Sequence, residues 1–244
     1  MKKLAVLILC FCFLFVCMTM SVSARQNHFK VYEAKSAEPF KPIVVVLKDQ
    51  FDKEPMKVKL TSISFFANPV EKKTKEGTYR VPVPNAHLTW YKFKDMRPKK
   101  RIVKFKNQFG EQKWMLGEAV FLLVPTQKLR KGSSMPREFN HFKAYKYLEG
   151  DFKPIKVLLK DQFDEKHVKV IVKKPLFFCN PVSKNEEPIF NKRYHLACYL
   201  IEGEFPGGPK SINIVNQFKE NRLYPGGPIM LCVPTEKLGF EVIK

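Results

Sequence analysis

The stretches VVLKDQF (residues 45–51) and VLLKDQF (residues 157–163) place the same run of lysine, aspartate, glutamine and phenylalanine twice in one chain. Each run follows apolar residues and includes a polar Asp-Gln pair, a pattern typical of a strand that enters a turn. Because the run is copied at a long interval, it indicates a duplicated structural unit. We therefore predict a fold of copied strands and turns.

The duplication covers most of the chain. Further motifs recur in the same order: HFKVY (28–32) with HFKAY (141–145), FFANPVEK (65–72) with FFCNPVSK (177–184), and LLVPTQKL (122–129) with LCVPTEKL (231–238). Each copy is itself double, since every quarter opens with His-hydrophobic-x-x-Tyr, continues with [Asp/Asn]-Gln-Phe and closes with a proline and a lysine. We number the quarters first to fourth by their opening histidines, which are His28, His87, His141 and His195.

The quarters are predicted to form strands. Segments such as MKVKL (residues 56–60) alternate apolar and basic residues, the period of a sheet with one wet face. No stretch after the N-terminal segment shows a sustained helical period. We predict an all-β fold of two tandem domains, residues 26–130 and 141–244, joined by a polar linker at 131–140. Each domain is predicted to be a pseudo-two-fold β-barrel or sandwich, and alternation leaves both forms open.

The N-terminal residues predict export. MKK supplies a positive start, residues 4–20 are an apolar run, and SVSA (residues 21–24) offers small residues for cleavage. We predict a signal peptide over residues 1–24, with an uncleaved membrane anchor as the alternative. No later apolar stretch is long enough to span a bilayer. The protein is expected to be secreted and to reside in the extracellular space, the periplasm or the cell surface.

The chain is strongly basic, with 44 Lys and Arg against 23 Asp and Glu and a net charge of +21. Such a charge favours anionic partners, here anionic polysaccharide, cell-wall polymer or extracellular nucleic acid. The densest basic stretch, residues 93–106, is the predicted polyanion-binding patch, and a solvated hairpin tip is the alternative. Its candidate residues are Lys99, Lys100, Arg101, Lys104 and Lys106.

The four opening histidines are candidates for a metal or sugar site. On each strand the tyrosine four residues later shares the face of the histidine, away from the core face. Two histidines per domain, without nearby carboxylates or thiols, are too few for zinc. We favour a structural His–Tyr or His–backbone bond that was copied with the unit, and we predict neither metal nor cofactor.

Aspartate and asparagine exchange freely before the repeated Gln-Phe: the four positions are Asp49, Asn107, Asp161 and Asn216. An amide cannot titrate, so this exchange argues against a catalytic carboxylate. Both side chains can accept a backbone N–H bond, so we interpret the run as a turn cap. Motifs of known hydrolases, metalloproteases and nucleotide-binding proteins are absent from the sequence. No catalytic residue is predicted.

The ordered motifs resemble those of an uncharacterised domain of secreted prokaryotic proteins, often found in tandem, with the pattern HFKCY…DQF…LCNPV…HLTCY…NQF…LCVP. The resemblance implies architecture and compartment but no reaction, cofactor or catalytic residue. It also implies two cysteines in each half-domain, and only the fourth quarter retains both, Cys198 and Cys232.

We therefore predict a disulfide between Cys198 and Cys232, with Cys179–Cys198 as a competing pair. Cys179 has no matching cysteine and is expected to be a buried thiol, or alternatively to link two chains. Trp90 and Leu123 stand at the two disulfide positions in the first copy and are expected to fill that volume by packing.

The sequence thus predicts a secreted, non-enzymatic, two-domain β protein that binds anionic polymers at or beyond the cell envelope. The first alternative is a structural subunit of an extracellular assembly, such as a surface layer or matrix, which could associate through Cys179 or through a strand edge. The second alternative is an enzyme of unrecognised type.

Overall fold

The computed structural model describes residues 26–243, and the predicted signal peptide lies outside the described residues. Within 26–243, no helix is long and apolar enough to cross a membrane. The strands are β1 (His28–Ser36), β2 (Ile43–Asp49), β3 (Met56–Leu60), β4 (Ser62–Thr74), β5 (Gly77–Tyr79), β6 (His87–Lys92), β7 (Arg101–Asn107), β8 (Gly110–Lys128), β9 (His141–Glu149), β10 (Ile155–Lys160), β11 (Val168–Lys184), β12 (His195–Gly203), β13 (Ile212–Val215) and β14 (Glu220–Val242).

Eight of these strands close into a single antiparallel ring. Each quarter supplies an opening strand, which carries the histidine and tyrosine, and a closing strand, which carries the proline and lysine. Around the ring the order is β1, β4, β6, β8, β9, β11, β12, β14 and back to β1. The quarters therefore follow one another around the ring in chain order, so that the first faces the third and the second faces the fourth.

The two halves of the chain do not close separately. Ring closure depends on β1 pairing with β14, where Phe29 lies opposite Cys232, and on β8 pairing with β9, where Leu123 lies opposite Phe142. The all-β prediction is confirmed, whereas the prediction of two separate β domains is corrected to one ring made from both halves. The physical reason is that alternation fixes which face of a strand is buried but not which strand lies beside it.

Side chains at alternate positions of the ring strands fill its interior. The predicted inward residues Phe29, Leu88, Phe142 and Leu196 are all fully buried in one apolar cluster. Trp90 and the disulfide cysteines belong to the same cluster. Complete burial of a large apolar side chain stabilises the fold by about 1.5–3 kcal/mol, so this cluster is a main source of ring stability.

Apart from β5, which pairs with β4 of its own quarter, the other strands form hairpins outside the ring, and each hairpin reaches the closing strand of the opposite quarter. β2 of the first quarter pairs with β11, and β10 of the third quarter pairs with β4. In the same way β7 pairs with β14 and β13 pairs with β8. The hairpins bury their apolar faces against the outer face of the ring, which creates a second and larger core.

Residues 26–130 alone are expected not to fold as a monomer, because β1 and β8 would both lose their ring partners. The measurement is light scattering and far-ultraviolet circular dichroism of this fragment beside residues 26–244. Mixing the fragment with residues 141–244 should restore cooperative unfolding. A monomeric fragment 26–130 with a cooperative transition of its own would contradict the single ring.

Candidate functional site

The repeated [Asp/Asn]-Gln-Phe runs form capped turns, as predicted. In each, the side-chain oxygen of the first residue accepts a hydrogen bond from the backbone N–H of the phenylalanine two residues later. The four bonds are Phe51 N to Asp49 Oδ1 (2.8 Å), Phe109 N to Asn107 Oδ1 (2.8 Å), Phe163 N to Asp161 Oδ1 (2.8 Å) and Phe218 N to Asn216 Oδ1 (3.0 Å). The turn-cap interpretation is confirmed for all four copies.

The same turn residues reach the opening tyrosine of the opposite quarter. Tyr32 Oη donates to Asp161 Oδ2 over 2.8 Å, and Tyr145 Oη donates to Asp49 Oδ2 over 2.8 Å. In the even quarters the donor is the amide: Asn107 Nδ2 to Tyr199 Oη (2.9 Å) and Asn216 Nδ2 to Tyr91 Oη (2.7 Å). Each hairpin is thereby attached to the ring at a buried polar point, with the direction of donation set by the residue type.

The turn residue is an aspartate in those quarters where the opposite quarter supplies a buried lysine beside it. Lys30 is fully buried, with Nζ 3.4 Å from Asp161 Oδ1 and 2.5 Å from Asp164 Oδ2. Lys143 forms the same pair of contacts with Asp49 (3.5 Å) and Asp52. At the equivalent positions in the even quarters stand Thr89 and Ala197, and there the turn residue is asparagine. A buried carboxylate needs a buried cation, so the charges change together.

Sequence reasoning recognised the exchange of aspartate and asparagine but missed that a lysine in the opening strand of the opposite quarter changes with it. The available signal was HFK together with DQFD in the odd quarters, against HLT or HLA together with NQF in the even quarters. Burial raises the pKa of Asp49 and of Asp161 although each faces a lysine. Burial also raises the pKa of Tyr32, with the charge of Asp161 adding to the effect, so this phenol keeps its proton as a donor.

The closing lysine of each quarter lies over the turn phenylalanine of the next quarter. The distances from Nζ to the ring centroid are 4.6 Å for Lys72 and Phe109, 4.6 Å for Lys128 and Phe163, 5.7 Å for Lys184 and Phe218, and 4.8 Å for Lys237 and Phe51. These contacts are cation–π interactions, which gain strength when water is excluded. Four clusters of histidine, lysine and phenylalanine therefore repeat around the ring.

The opening histidines are buried in these clusters and not bonded to the tyrosines, so a His–Tyr bond is corrected. His141 Nε2 lies 2.9 Å from Glu187 Oε2, and the Nδ1–H of His195 donates to Arg193 O over 3.1 Å. His28 contacts Gln108, and His87 stacks on the ring of Phe66. A bond from a histidine to the backbone, as predicted, is found at His195.

Burial is also the main influence on the histidine pKa values, and the closing lysine of the same quarter adds to it. The pKa is lowered to about 3 for His87 and His195 and to about 4 for His141. These imidazoles are neutral at pH 7. In the part of the chain that the structure describes, no three His, Cys, Asp or Glu side chains come together as a metal-ligand set.

Four of the five residues of the predicted polyanion patch are exposed, and the fifth is buried. Lys104 and Lys106 lie on the exposed face of β7, and Lys99 and Lys100 are exposed just before it. Arg101 is instead buried, with its guanidinium carbon 5.0 Å from the Tyr145 ring centroid and its Nη1 donating to Lys99 O over 2.8 Å. Arg101 is thus corrected from a candidate ligand residue to a structural residue, because alternation along β7 points it at the core.

The cysteines lie inside the ring. Cys198 and Cys232 are directly opposite on β12 and β14, with Cα atoms 4.0 Å apart and their sulfurs bonded. Cys179 is a free buried thiol whose Sγ lies 3.9 Å from that of Cys198. Trp90 and Leu123 form the corresponding opposite pair on β6 and β8 and are fully buried. Because Cys179 has no exposed surface, a link to a second chain would require the ring to open.

Comparison with known proteins finds a similarity to one family model. Residues 87–204 match the model of a family described as a repeat of unknown function (DUF7450). The match is consistent with the resemblance to an uncharacterised domain. It begins at β6 and ends just after β12, so it extends across the junction between the two halves. No curated protein matches the chain, and no solved structure matches it.

Replacing Lys30 by threonine is expected to lower the free energy of unfolding by about 3–5 kcal/mol, because two buried aspartates lose their cation. The triple variant Lys30→Thr/Asp161→Asn/Asp164→Asn copies the neutral pairing of the even quarters and keeps the turn caps. It should regain about 1–3 kcal/mol through the coupling between neighbours. Urea denaturation measures both values. A triple variant that is no more stable than Lys30→Thr would contradict the charge pairing.

The free energy of unfolding is expected to fall as the pH is lowered from 6.5 to 4. In this window an unfolded histidine binds a proton that buried His87, with its pKa of about 3, does not bind. Each such histidine contributes about 1.4 kcal/mol per pH unit. The raised pKa values of Asp49 and Asp161 act in the opposite sense. His87→Phe should therefore reduce the slope of the free energy of unfolding against pH by about 1.4 kcal/mol per pH unit. An unchanged slope would refute this assignment.

Proposed function

We propose that this protein is a secreted, non-enzymatic binder of anionic polymers such as acidic polysaccharide, cell-wall polymer or extracellular nucleic acid. The supporting observation is the direct opposition of Lys104 on β7 and Lys113 on β8, both exposed. Like charges that face each other across a strand pair destabilise a sheet. A bound polyanion would convert this repulsion into attraction, and so the pair is better suited to a binding surface than to a purely structural one.

The opposed lysines lie in a groove. It has a volume of 560 Å³ and is lined by Ile102, Lys104, Glu111, Gln112, Lys113, Leu238, Gly239, Phe240 and Glu241. Lys106 extends the basic row along β7, with Glu111 Oε1 3.7 Å from its Nζ. Exposed apolar side chains beside the lysines, such as Leu238 and Phe240, offer contact area to sugar rings or bases. We name the row of Lys104, Lys106 and Lys113 the β7–β8 strip.

A second groove that carries lysines lies near β10 and β11. It has a volume of 820 Å³, and four of its lining residues are lysines: Lys73, Lys75, Lys156 and Lys169. Glu202 and Glu204 line it as well, and they reduce its net charge. In the first groove, too, Glu111 and Glu241 accompany Lys104 and Lys113. Two separate grooves that carry lysines on one ring favour avidity for a long polymer, since a second linked contact raises the apparent affinity. The cationic residues of this second groove are lysines, which attract anions without imposing the fixed geometry of an arginine side chain.

The alternative of an assembly subunit is supported by β3, which pairs only with β2 among the described strands. Exposed Val44 and Val46 on β2 lie beside this edge. However, Lys57 and Lys59 point outward along β3, and edge lysines oppose the addition of a further strand. The edge therefore supports assembly less strongly than the strip supports polyanion binding.

The expected result is binding of residues 26–244 to heparin and to single-stranded DNA at low salt, with loss of binding as the salt concentration rises. Lys104→Gln/Lys113→Gln should weaken this binding about 10-fold or more, because both opposed charges are removed. The matched control is Lys146→Gln/Lys219→Gln, which removes the same charge from lysines paired with Glu118 and Glu38.

Isothermal titration with each polymer measures these affinities, and neutral dextran serves as a control ligand. An equal loss of affinity in the two double variants would show that only net charge matters and would contradict a site at the β7–β8 strip. No binding at low salt would contradict the proposed function as a whole.

A further inference from the structure

The cluster in the third quarter shows how this fold holds a carboxylate. Glu187 Oε1 accepts from Lys184 Nζ over 2.5 Å and from Gln217 Nε2 over 3.0 Å. His141 Nε2 lies 2.9 Å from the other oxygen, Glu187 Oε2. Lysine, glutamine and histidine from three separate segments therefore converge on one carboxylate. Bonds of this kind to an ionised oxygen are stronger than bonds between neutral groups.

The first and second quarters together supply the same three residue types at the equivalent repeat positions. His28 corresponds to His141, Lys72 to Lys184, and Gln108 to Gln217. Lys72 is fully buried, yet its Nζ has no hydrogen-bond acceptor among the described residues. His28 Nδ1 is also without a partner there, and Gln108 Nε2 contacts His28 Nε2. An unpaired buried ammonium is costly, so this cluster lacks only the carboxylate that its sister possesses.

Aromatic rings cover Lys72. Tyr79, the last residue of the short strand β5, has its ring centroid 4.5 Å from Lys72 Nζ and 5.5 Å from the centroid of the His28 ring. β5 has three residues and pairs only with β4 among the described strands, so little holds it in place. The nearby acid is Glu76, in the turn between β4 and β5, and its side chain is exposed. Displacement of Tyr79 would open a path to the lysine.

We propose that His28, Lys72 and Gln108 form a binding site for a carboxylate group, supplied either by a small organic acid or by a uronic acid unit of a polysaccharide. The bound oxygens take the places that Glu187 Oε1 and Oε2 occupy in the third quarter. Lys72 and Gln108 donate to one oxygen and His28 to the other. The site shares no residue with the β7–β8 strip, although Gln108 lies in the turn that joins these two strands.

The charge state of Lys72 agrees with this site. Burial lowers the pKa of Lys72 to about 7, and the charge of Glu76 opposes the shift. A carboxylate prefers the charged lysine, so binding raises this pKa and takes up a proton above pH 7. The affinity for the acid is therefore expected to decrease as the pH rises from 7 to 9. The other groups that affect the site are His28, which burial keeps neutral, and Glu76.

The test is a titration of residues 26–244 with acetate and, separately, with glucuronate, followed by the imidazole signals of the histidines in NMR spectra. Glucose is the neutral control. We expect one site, a shift of the His28 signals, and at least 10-fold weaker binding in Lys72→Met. Tyr79→Ala should strengthen binding, because the cover is removed. Binding of acetate alone would assign the site to small acids, and binding of both would extend it to uronic acid units.

A second variant keeps the test informative if Lys72→Met changes the fold. Glu187→Ala removes the internal carboxylate and vacates its place beside Lys184 and His141. It should therefore create a second site, so that two equivalents of acetate bind. Lys146→Met, which changes an exposed lysine paired with Glu118, should leave binding unchanged. Binding to Glu187→Ala but not to the original chain would show that Tyr79 satisfies Lys72 and would overturn the proposal. Binding that survives Lys72→Met in a folded variant would overturn it as well.

Discussion

The pairing of the first strand with the last is the constraint on which the rest of this structure depends. Once β1 lies beside β14, β8 must lie beside β9, and the quarters are placed around one ring in chain order. The first quarter then faces the third. This placement brings Asp161 to Tyr32 and Lys30, and Asp49 to Tyr145 and Lys143. The polar contacts that attach the hairpins are therefore a consequence of ring closure.

The sequence predicted what is local and missed what depends on distant partners. The caps at the four turns and the inward face that carries Phe29 follow from repeat position and strand period, and both are found. The Cys198–Cys232 pair was expected from the resemblance and is also found. The partner of β1 does not follow from period, since alternation assigns side chains to the two faces of a strand and leaves open whether its neighbour is β8 or β14. Arg101 was assigned to the surface because its neighbours are basic, although its position on β7 turns it inward.

Lysine has two distinct roles in this chain. Buried lysines such as Lys30 neutralise aspartates inside the fold and are not available to an external anion. Exposed lysines on the hairpins, such as Lys104 and Lys113, have neighbours of like charge and are available. Net charge alone does not separate the two groups, because both add to the same total. The repeat does separate them, since the buried lysines recur at fixed motif positions whereas the exposed ones follow the alternation of each hairpin.

Cross-linking between the first and last strands tests the ring most directly. Lys35 on β1 and Tyr224 on β14 are directly opposite, and both side chains are exposed. The variant Lys35→Cys/Tyr224→Cys should form a disulfide under mild oxidation, detected by mass spectrometry of the digested protein. Lys35→Cys/Met115→Cys reports the alternative in which β1 pairs with β8 inside one half. A ring predicts the first cross-link without the second, and the reverse result would contradict the ring and favour two separate domains.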